Sequence, residues 1–296
     1  MRIAVTGTSG QVVTSLIERG KLAGDEIVAI GRPQLDLADP ASVATPLAAA
    51  RPDAIVSAAA YTAVDKAESE RDLALAVNAV GAGAVAAVAA DMGVPLIHLS
   101  TDYVFDGSGV QPWTESDLTG PTGVYGETKL AGEQAVLAAH PGGSAILRTA
   151  WVYSPFGANF VRTMLRLAAE RDEVSVVADQ IGNPTSALDI ADGVFAVARN
   201  LAADSDPALR GVFHMSGAGE ASWADFARAV FAASAERGGP SAEVNAITTA
   251  DYPTPARRPA NSRLDCARLA EAHGVALPDW RDSLPPVVER LLAETA

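Results

Sequence analysis

The chain has 296 residues, 49% of them hydrophobic, enough to bury a substantial core in one large domain or two smaller ones. Its 36 acidic against 22 basic side chains give a net charge of -14, which argues against broad nucleic-acid binding and against attraction to an anionic membrane surface. One cysteine, Cys266, excludes an internal disulfide and a zinc–cysteine cluster, and four scattered histidines offer no metal spacing, so no metal is expected and Cys266 reads as a structural thiol.

Arg2 to Thr6 is a short apolar run followed by Gly7-Thr8-Ser9-Gly10-Gln11-Val12-Val13 and then the helical pattern of Leu16 and Ile17. A strand, a glycine turn and a helix are expected. Gly7 and Gly10 let the backbone turn tightly and approach a ligand, while the free N–H groups of Gln11 and Val12 at the helix start suit a pyrophosphate. Val13 stands where a third glycine is usual, a position that mainly serves helix packing. The next strand, Glu26 to Ile30, ends in Gly31-Arg32, a cation where an acid would read the ribose of NAD. Arg32 can meet a 2′-phosphate, so NADPH is expected ahead of NADH, the alternative being a solvated surface charge. Asp36-Leu37 follows in a loop placed to meet an adenine edge.

Asp39-Pro40 reads as the cap and first residue of a helix to about Ala50, and Ala54 to Ser57 as the third strand. Ala58-Ala59-Ala60-Tyr61 continues from its carboxyl end, where small side chains permit close approach of a cofactor. An alanine-rich helix from roughly Ala74 to Ala90 leads to a buried strand, Pro95 to Leu99, which runs out into Ser100-Thr101-Asp102-Tyr103-Val104-Phe105-Asp106-Gly107. Thr101 can donate to a carbonyl oxygen, or bond local backbone as a strand-end hydroxyl. No run reaches the eighteen or so apolar residues of a membrane span, and no signal-peptide pattern follows Met1, so a cytoplasmic protein without a membrane partner is expected.

Tyr125 and Lys129 stand four residues apart on a probable helix, hence on one face. A lysine held near a tyrosine stabilises the phenolate and makes it a candidate general acid. The buried strand Ala145 to Thr149 ends at Trp151, an aromatic wall for a ring-shaped substrate or, equally, a core residue. Beyond it the alternation loosens. A helix over Phe160 to Glu170, a strand near Val174 to Val177, a loop from Asp179 to Thr185 and a helix from Asp189 are expected. The strand Gly211 to His214, a Trp223 to Ala235 helix, a proline-rich Pro253 to Pro259 segment and two terminal helices complete the chain. Strands alternating with helices imply an α/β fold with a Rossmann-type doubly wound parallel sheet over residues 1–150 and a smaller C-terminal substrate domain over 151–296, with later segments returning to the first.

Gly7-x-x-Gly10, Thr101, Tyr125 and Lys129 together resemble the extended short-chain dehydrogenase/reductase superfamily. Five further blocks, Ala60 to Glu68, Ser100 to Gly107, Leu147 to Tyr153, Asn159 to Val161 and Arg258 to Ser262, are similar to the bacterial dTDP-4-dehydrorhamnose reductases. The resemblance implies that a nicotinamide hydride reduces the C4 ketone of dTDP-4-dehydro-β-L-rhamnose to give dTDP-L-rhamnose for cell-surface polysaccharide. Tyr125 would protonate the forming alkoxide, Lys129 would lower the pKa of Tyr125 and hold the nicotinamide ribose, and Thr101 would hydrogen-bond the carbonyl oxygen. Asp102, Phe105 and Trp151 would line the sugar pocket, with Arg258 near the nucleotide diphosphate.

Some members of this family form metal-bridged dimers through glutamates, but Ser15 and Leu188 stand near where those would fall, so neither a metal site nor a dimer is carried over and monomer or homodimer remains open. Two rivals are a non-catalytic regulatory subunit of the methionine adenosyltransferase type and another nucleotide-sugar epimerase or dehydratase. The intact Thr101, Tyr125 and Lys129 argue against the first, while Asp102 after the threonine keeps the second in view.

Overall fold

Continuous apolar runs such as Ile3-Ala4-Val5 and Ala54-Ile55-Val56 bury both faces of a strand, the signature of a parallel sheet covered by helices on either side. In the computed structural model, which describes residues 1–294, these runs are β1 (Arg2–Thr6) and β3 (Ala54–Ser57). Between them lie α1 (Gln11–Ala23), β2 (Glu26–Ile30) and α2 (Ala44–Ala50). There follow α3 (Val64–Ala67), α4 (Arg71–Leu75), α5 (Ala82–Met92), β4 (Leu96–Thr101), α6 (Val124–Ala139) and β5 (Ser144–Thr149). The second half holds β6 (Val152–Tyr153), α7 (Phe160–Glu170), β7 (Glu173–Val177), β8 (Ile181–Gly182), β9 (Thr185–Ser186), α8 (Ala187–Ala203) and β10 (Gly211–His214). It ends with β11 (Ala221–Ser222), α9 (Trp223–Ala235), β12 (Glu243–Ile247), β13 (Asn261–Ser262), α10 (Ala267–His273) and α11 (Trp280–Ala293).

Six strands form one parallel sheet in the order β10-β5-β4-β3-β1-β2. The connections reverse direction between β1 and β3, which opens a crevice beyond their carboxyl ends. One face is covered by α1 and α8, with Leu16, Ile190, Val194 and Phe195 against Ile3, Val5 and Val56. The other is covered by α2, α5 and α6, with Leu47, Val85 and Val136 against Ala4, Ile55, Leu96 and Ile146. Each buried Val, Leu, Ile or Phe among them contributes about 1.5–3 kcal/mol. A separate core gathers α7, α9 and α11 around Val161, Phe226, Val230, Leu284 and Val288. The chain thus crosses back: α8 and β10, late in sequence, complete the first layer system.

Several expectations change in detail. The helix expected from Asp39 begins as a 3-10 turn, Pro40–Ser42, capped by the Asp39 carboxylate, and becomes α-helical only at Ala44. Residues 71–92 form one continuous helix, α4 and α5 being joined by a wide π-helical stretch, Ala76–Gly81. At 22 residues it is long and apolar enough to cross a membrane by length and composition, which corrects the expectation that no run reaches that length. Its Val85, Ala86 and Ala89 lie fully buried against the sheet, and a core helix passes the same test. The Asp179 to Thr185 loop carries the two-residue strands β8 and β9, and β12 pairs in parallel with β7 although Glu243 and Asn245 give it little apolar character.

Candidate active site

The crevice is built from three strand ends and one helix. At β1, Gly7 adopts φ 98°, and a Cβ there would stand 3.3 Å from the Ala59 Cβ beyond β3, so only glycine gives this turn so close to its neighbour. Gly10 precedes α1 in extended backbone with no side-chain cap, and the first main-chain bond into the helix is donated by Thr14 to Gly10. The N–H groups of Gln11, Val12 and Val13 therefore point free from the helix start, a fit for a pyrophosphate. The Gln11 side chain is committed elsewhere, accepting from Ser154 Oγ at 2.9 Å, so its main chain alone is available. Val13 is buried in the core, and its Cγ2 is 3.4 Å from where a Gly7 Cβ would be. It does by packing what the missing glycine does by close approach.

Arg32 projects exposed beyond β2 and forms no ion pair among the described residues, leaving its guanidinium available to a phosphate. The Asp36 carboxylate accepts from Ala38 N at 3.0 Å. Leu37, expected at the adenine, instead lies 5% exposed in the core, against which Gly81 packs too tightly for any side chain. Ala59 N donates to Thr6 Oγ1 at 3.0 Å. The main chain of Tyr61, next to Ala60, is gripped by Asn78, which accepts from Tyr61 N at 2.7 Å and donates to Tyr61 O and to Thr128 Oγ1, both at 3.1 Å. The Tyr61 phenol donates to Glu70 at 2.7 Å.

Helix α6 carries Tyr125 and Lys129, and two glycines set its depth. A side chain at Gly126 would overlap the Tyr103 carbonyl, and one at Gly132 the Asn78 carbonyl. The helix therefore lies close against the residues that follow β4. Thr101, at the end of β4, donates to Asp102 Oδ1 at 2.9 Å and accepts from Tyr103 N at 3.2 Å. Local backbone thus uses one lone pair of its hydroxyl, as the simpler reading of a strand end allowed. Tyr125 packs edge-on against Tyr103, ring centroids 5.4 Å apart. Burial, then the Asp102 charge, holds the Tyr125 phenol above its ordinary pKa, with hydrogen bonding to Thr101 acting the other way.

The lysine does not do what its spacing suggested. Lys129 is 2% exposed, donates to Leu99 O at 2.7 Å and approaches His98 Nε2 at 3.5 Å. The Tyr125 phenol is raised and not lowered, so the expectation that Lys129 makes it more acidic is corrected. The physical reason is that its ammonium turns inward to a strand carbonyl. Burial lowers Lys129 to about 8, opposed by Glu133 one turn further on. His98 is pushed well below its usual value by burial and by Lys129, and its Nδ1 lies 3.1 Å from Ser57 Oγ.

Among the expected sugar contacts, Asp102 is 3% exposed and raised to about 6 by burial; its Oδ1 accepts from Thr101 and its Oδ2 has no partner. Phe105 is corrected: at 1% exposure it stacks on Trp113 at 4.7 Å beneath the Arg148 guanidinium and offers no surface to a sugar. Trp151 is half-buried, at φ 49°, and stacks on Trp223. Arg258 pairs with Asp65 at 2.6 Å, joining the proline-rich segment to α3, while its Nη1 is buried without a partner. Sequence reasoning missed Asn78, Glu133, Arg148 and Trp223. Asn78 and Arg148 had a signal, a lone polar side chain inside an apolar run; Glu133 and Trp223 had none. No group of three His, Cys, Asp or Glu side chains among the described residues could hold a metal ion.

The chain matches the family model of the RmlD substrate binding domain over residues 1–293. A dTDP-4-dehydrorhamnose reductase of Sinorhizobium fredii is 54% identical over 294 residues, covering 99% of each chain. Of solved structures, the chain is similar to a dTDP-4-dehydrorhamnose reductase of Clostridium acetobutylicum, with TM-score 0.91 and 36% identity over 99% of this chain and 100% of that one. It is also similar to one from Bacillus anthracis in complex with NADP, with TM-score 0.88 and 35% identity over 99% of each chain.

Proposed function

The chain belongs to the dTDP-4-dehydrorhamnose reductase family, and from that premise we propose that Thr101, Tyr125 and Lys129 carry out the reduction of the C4 ketone of dTDP-4-dehydro-β-L-rhamnose to dTDP-β-L-rhamnose. The observation that supports the reading is the close seating of α6 on the residues that follow β4, with Gly126 against the Tyr103 carbonyl and the Tyr125 ring on Tyr103, which sets the phenol beside the end of β4 where Thr101 stands. The free N–H groups at the start of α1 would hold NADPH by its pyrophosphate, and the cofactor would supply the hydride.

The chain's own groups do the rest. Gly7, Gly10, Gln11 and Val12 would cradle the pyrophosphate with main-chain N–H groups, Arg32 would take the 2′-phosphate, and Asp36 would border the adenine, with Leu37 buried behind it. Ala59, Ala60 and the Tyr61 main chain, braced by Asn78, line the wall beside the nicotinamide. Thr101 donates to the ketone oxygen once its proton turns from Asp102, stabilising charge as it builds. Tyr125 then gives up its proton. Its raised pKa keeps the phenol protonated at neutral pH, and an alkoxide is a stronger base than a phenolate, so the transfer runs downhill. Lys129 holds the ribose. Asp102 and Trp151 bound the sugar, and Arg258, with one donor unpaired, reaches the diphosphate.

We assign the cofactor to the half built from residues 1–150 and the sugar nucleotide to elements of 151–296, in a cytoplasmic monomer or homodimer. The test is product analysis after incubation of the protein with the dTDP-4-keto sugar and NADPH. Stoichiometric NADPH loss with dTDP-rhamnose formed supports the reading. A changed sugar without net NADPH loss would identify an epimerase or dehydratase, and no turnover a regulatory subunit.

A further inference from the structure

Trp151 holds a backbone conformation that a bulky side chain rarely adopts, φ 49°, just past β5 and two residues beyond Thr149, the register partner of Thr101. Such a conformer persists only where the surroundings over-determine it. Here they do so on three sides. Trp151 O accepts from Thr185 N at 3.1 Å, which ties the strained residue to β9. The indole edge lies against β8 at Gly182, where an added Cβ would stand 2.5 Å from Cε2 and 2.7 Å from Nε1. The indole face is covered by Trp223, with centroids 3.6 Å apart and planes 9° from parallel.

Trp223 is itself fixed on the side of the α7, α9 and α11 core. It is the first residue of α9, locked by a capping box in which Ser222 and Asp225 exchange hydrogen bonds, and its ring is backed by Phe160 at 4.6 Å. Neither indole is fully buried: Trp223 packs against the α7, α9 and α11 core, and Trp151 against Val104, Phe105 and Ala150 at the ends of β4 and β5. Trp223 thus covers one face of the Trp151 indole and leaves the other side to the end of β4 and β5.

We propose that Trp223 is a positioning residue for the sugar nucleotide: by stacking on Trp151 it holds that indole in its left-handed backbone conformer and selects the face offered to the sugar beside Thr101. The inference rests on the reading that Trp151 contacts the sugar nucleotide. It makes α9, remote in sequence from the reacting groups, a determinant of substrate affinity.

The test combines kinetics with circular dichroism, because two stacked indoles couple and give an exciton couplet. Trp223→Ala and Trp151→Ala should each remove that couplet, which the remaining tryptophans, Trp113 and Trp280, do not produce. Trp223→Ala should raise KM for the sugar nucleotide about tenfold, the scale of one lost aromatic stack, with kcat and the KM for NADPH within about twofold. Trp223→Phe, which still presents a flat ring, should restore most of the affinity, and Trp223→Leu should not. Thermal unfolding and the NADPH KM report whether each variant is folded, and the Phe and Leu pair carries the comparison should the Ala variant fail to fold. A lost couplet with the sugar KM unchanged in Trp223→Ala, while Trp151→Ala raises it, would overturn the positioning role and leave the Trp151 contact standing. An unchanged sugar KM in Trp151→Ala would remove that contact and this inference together.

Discussion

Glu133 on α6 grips Arg148 on β5 through two hydrogen bonds of 2.9 and 2.7 Å, and Ser100 Oγ donates to the same carboxylate at 2.5 Å. Both side chains are buried, and the guanidinium rests over Phe105. The pair welds the helix bearing Tyr125 and Lys129 to the strand that ends in Thr101 and the strand that precedes Trp151. Removing one partner leaves a buried charge alone, which costs more than replacing both. Arg148→Met should destabilise the protein by about 3–5 kcal/mol in urea unfolding. The double variant Glu133→Met with Arg148→Met should recover a large part of that loss, and a merely additive double variant would contradict the coupling.

Tyr125→Phe keeps the ring against Tyr103 and removes the transferable proton. It should lower kcat by about 10²–10⁴ while Kd for NADPH, measured by fluorescence titration, stays within about twofold. Unchanged turnover would remove Tyr125 from the chemistry.

Burial lowers Lys129 from 10.5 to about 8, so the cost of holding its charge is present below pH 8 and is relieved as pH rises through 8 toward 10.5. In that window the folded state binds fewer protons than the unfolded one. The stability of the parent relative to Lys129→Met should therefore rise between pH 8 and 10.5, read from urea midpoints, and be flat from pH 6 to 7. If the ammonium also holds the ribose, KM for NADPH should climb above pH 8 in the parent and stay level in Lys129→Met.

Arg32 stands exposed and unpaired where the 2′-phosphate is expected. Arg32→Ala should raise KM for NADPH about tenfold, the loss of one charge-assisted contact, and leave KM for NADH nearly unchanged. Equal effects on both cofactors would mean that Arg32 does not read the 2′ position.

Much of the fold was legible because it depends on neighbours in sequence. The β1 and β2 ends follow from apolar runs closed by Gly7 and Gly31, the β3 start from Pro52-Asp53 before it, and the α6 face from helical spacing alone. Short pairings were not legible. β8 and β9 have two residues each, too few for any period, and β12 pairs with β7 through main-chain bonds that its polar side chains do not announce. The wide turn at Ala76–Gly81 was hidden too, since an alanine-rich run looks the same in an α-helix or a π-helix.

The sequence by itself determined the Tyr125 and Lys129 spacing, the glycine turn at Gly7 and Gly10, and the threonine at a strand's carboxyl end, because local periodicity and turn chemistry settle these within a few residues. Only the tertiary structure decided where the groups point. Lys129 turns to the Leu99 carbonyl, and Phe105 sinks beneath Arg148. Trp151 is held by a tryptophan 72 positions later. The first two outcomes depend on strands made adjacent by the parallel sheet, and the third on α9 packing beside the end of β5. Burial then sets the charges: the same lysine spacing that suggested a more acidic tyrosine lies within a low-dielectric interior, where desolvation raises the phenol and lowers the ammonium.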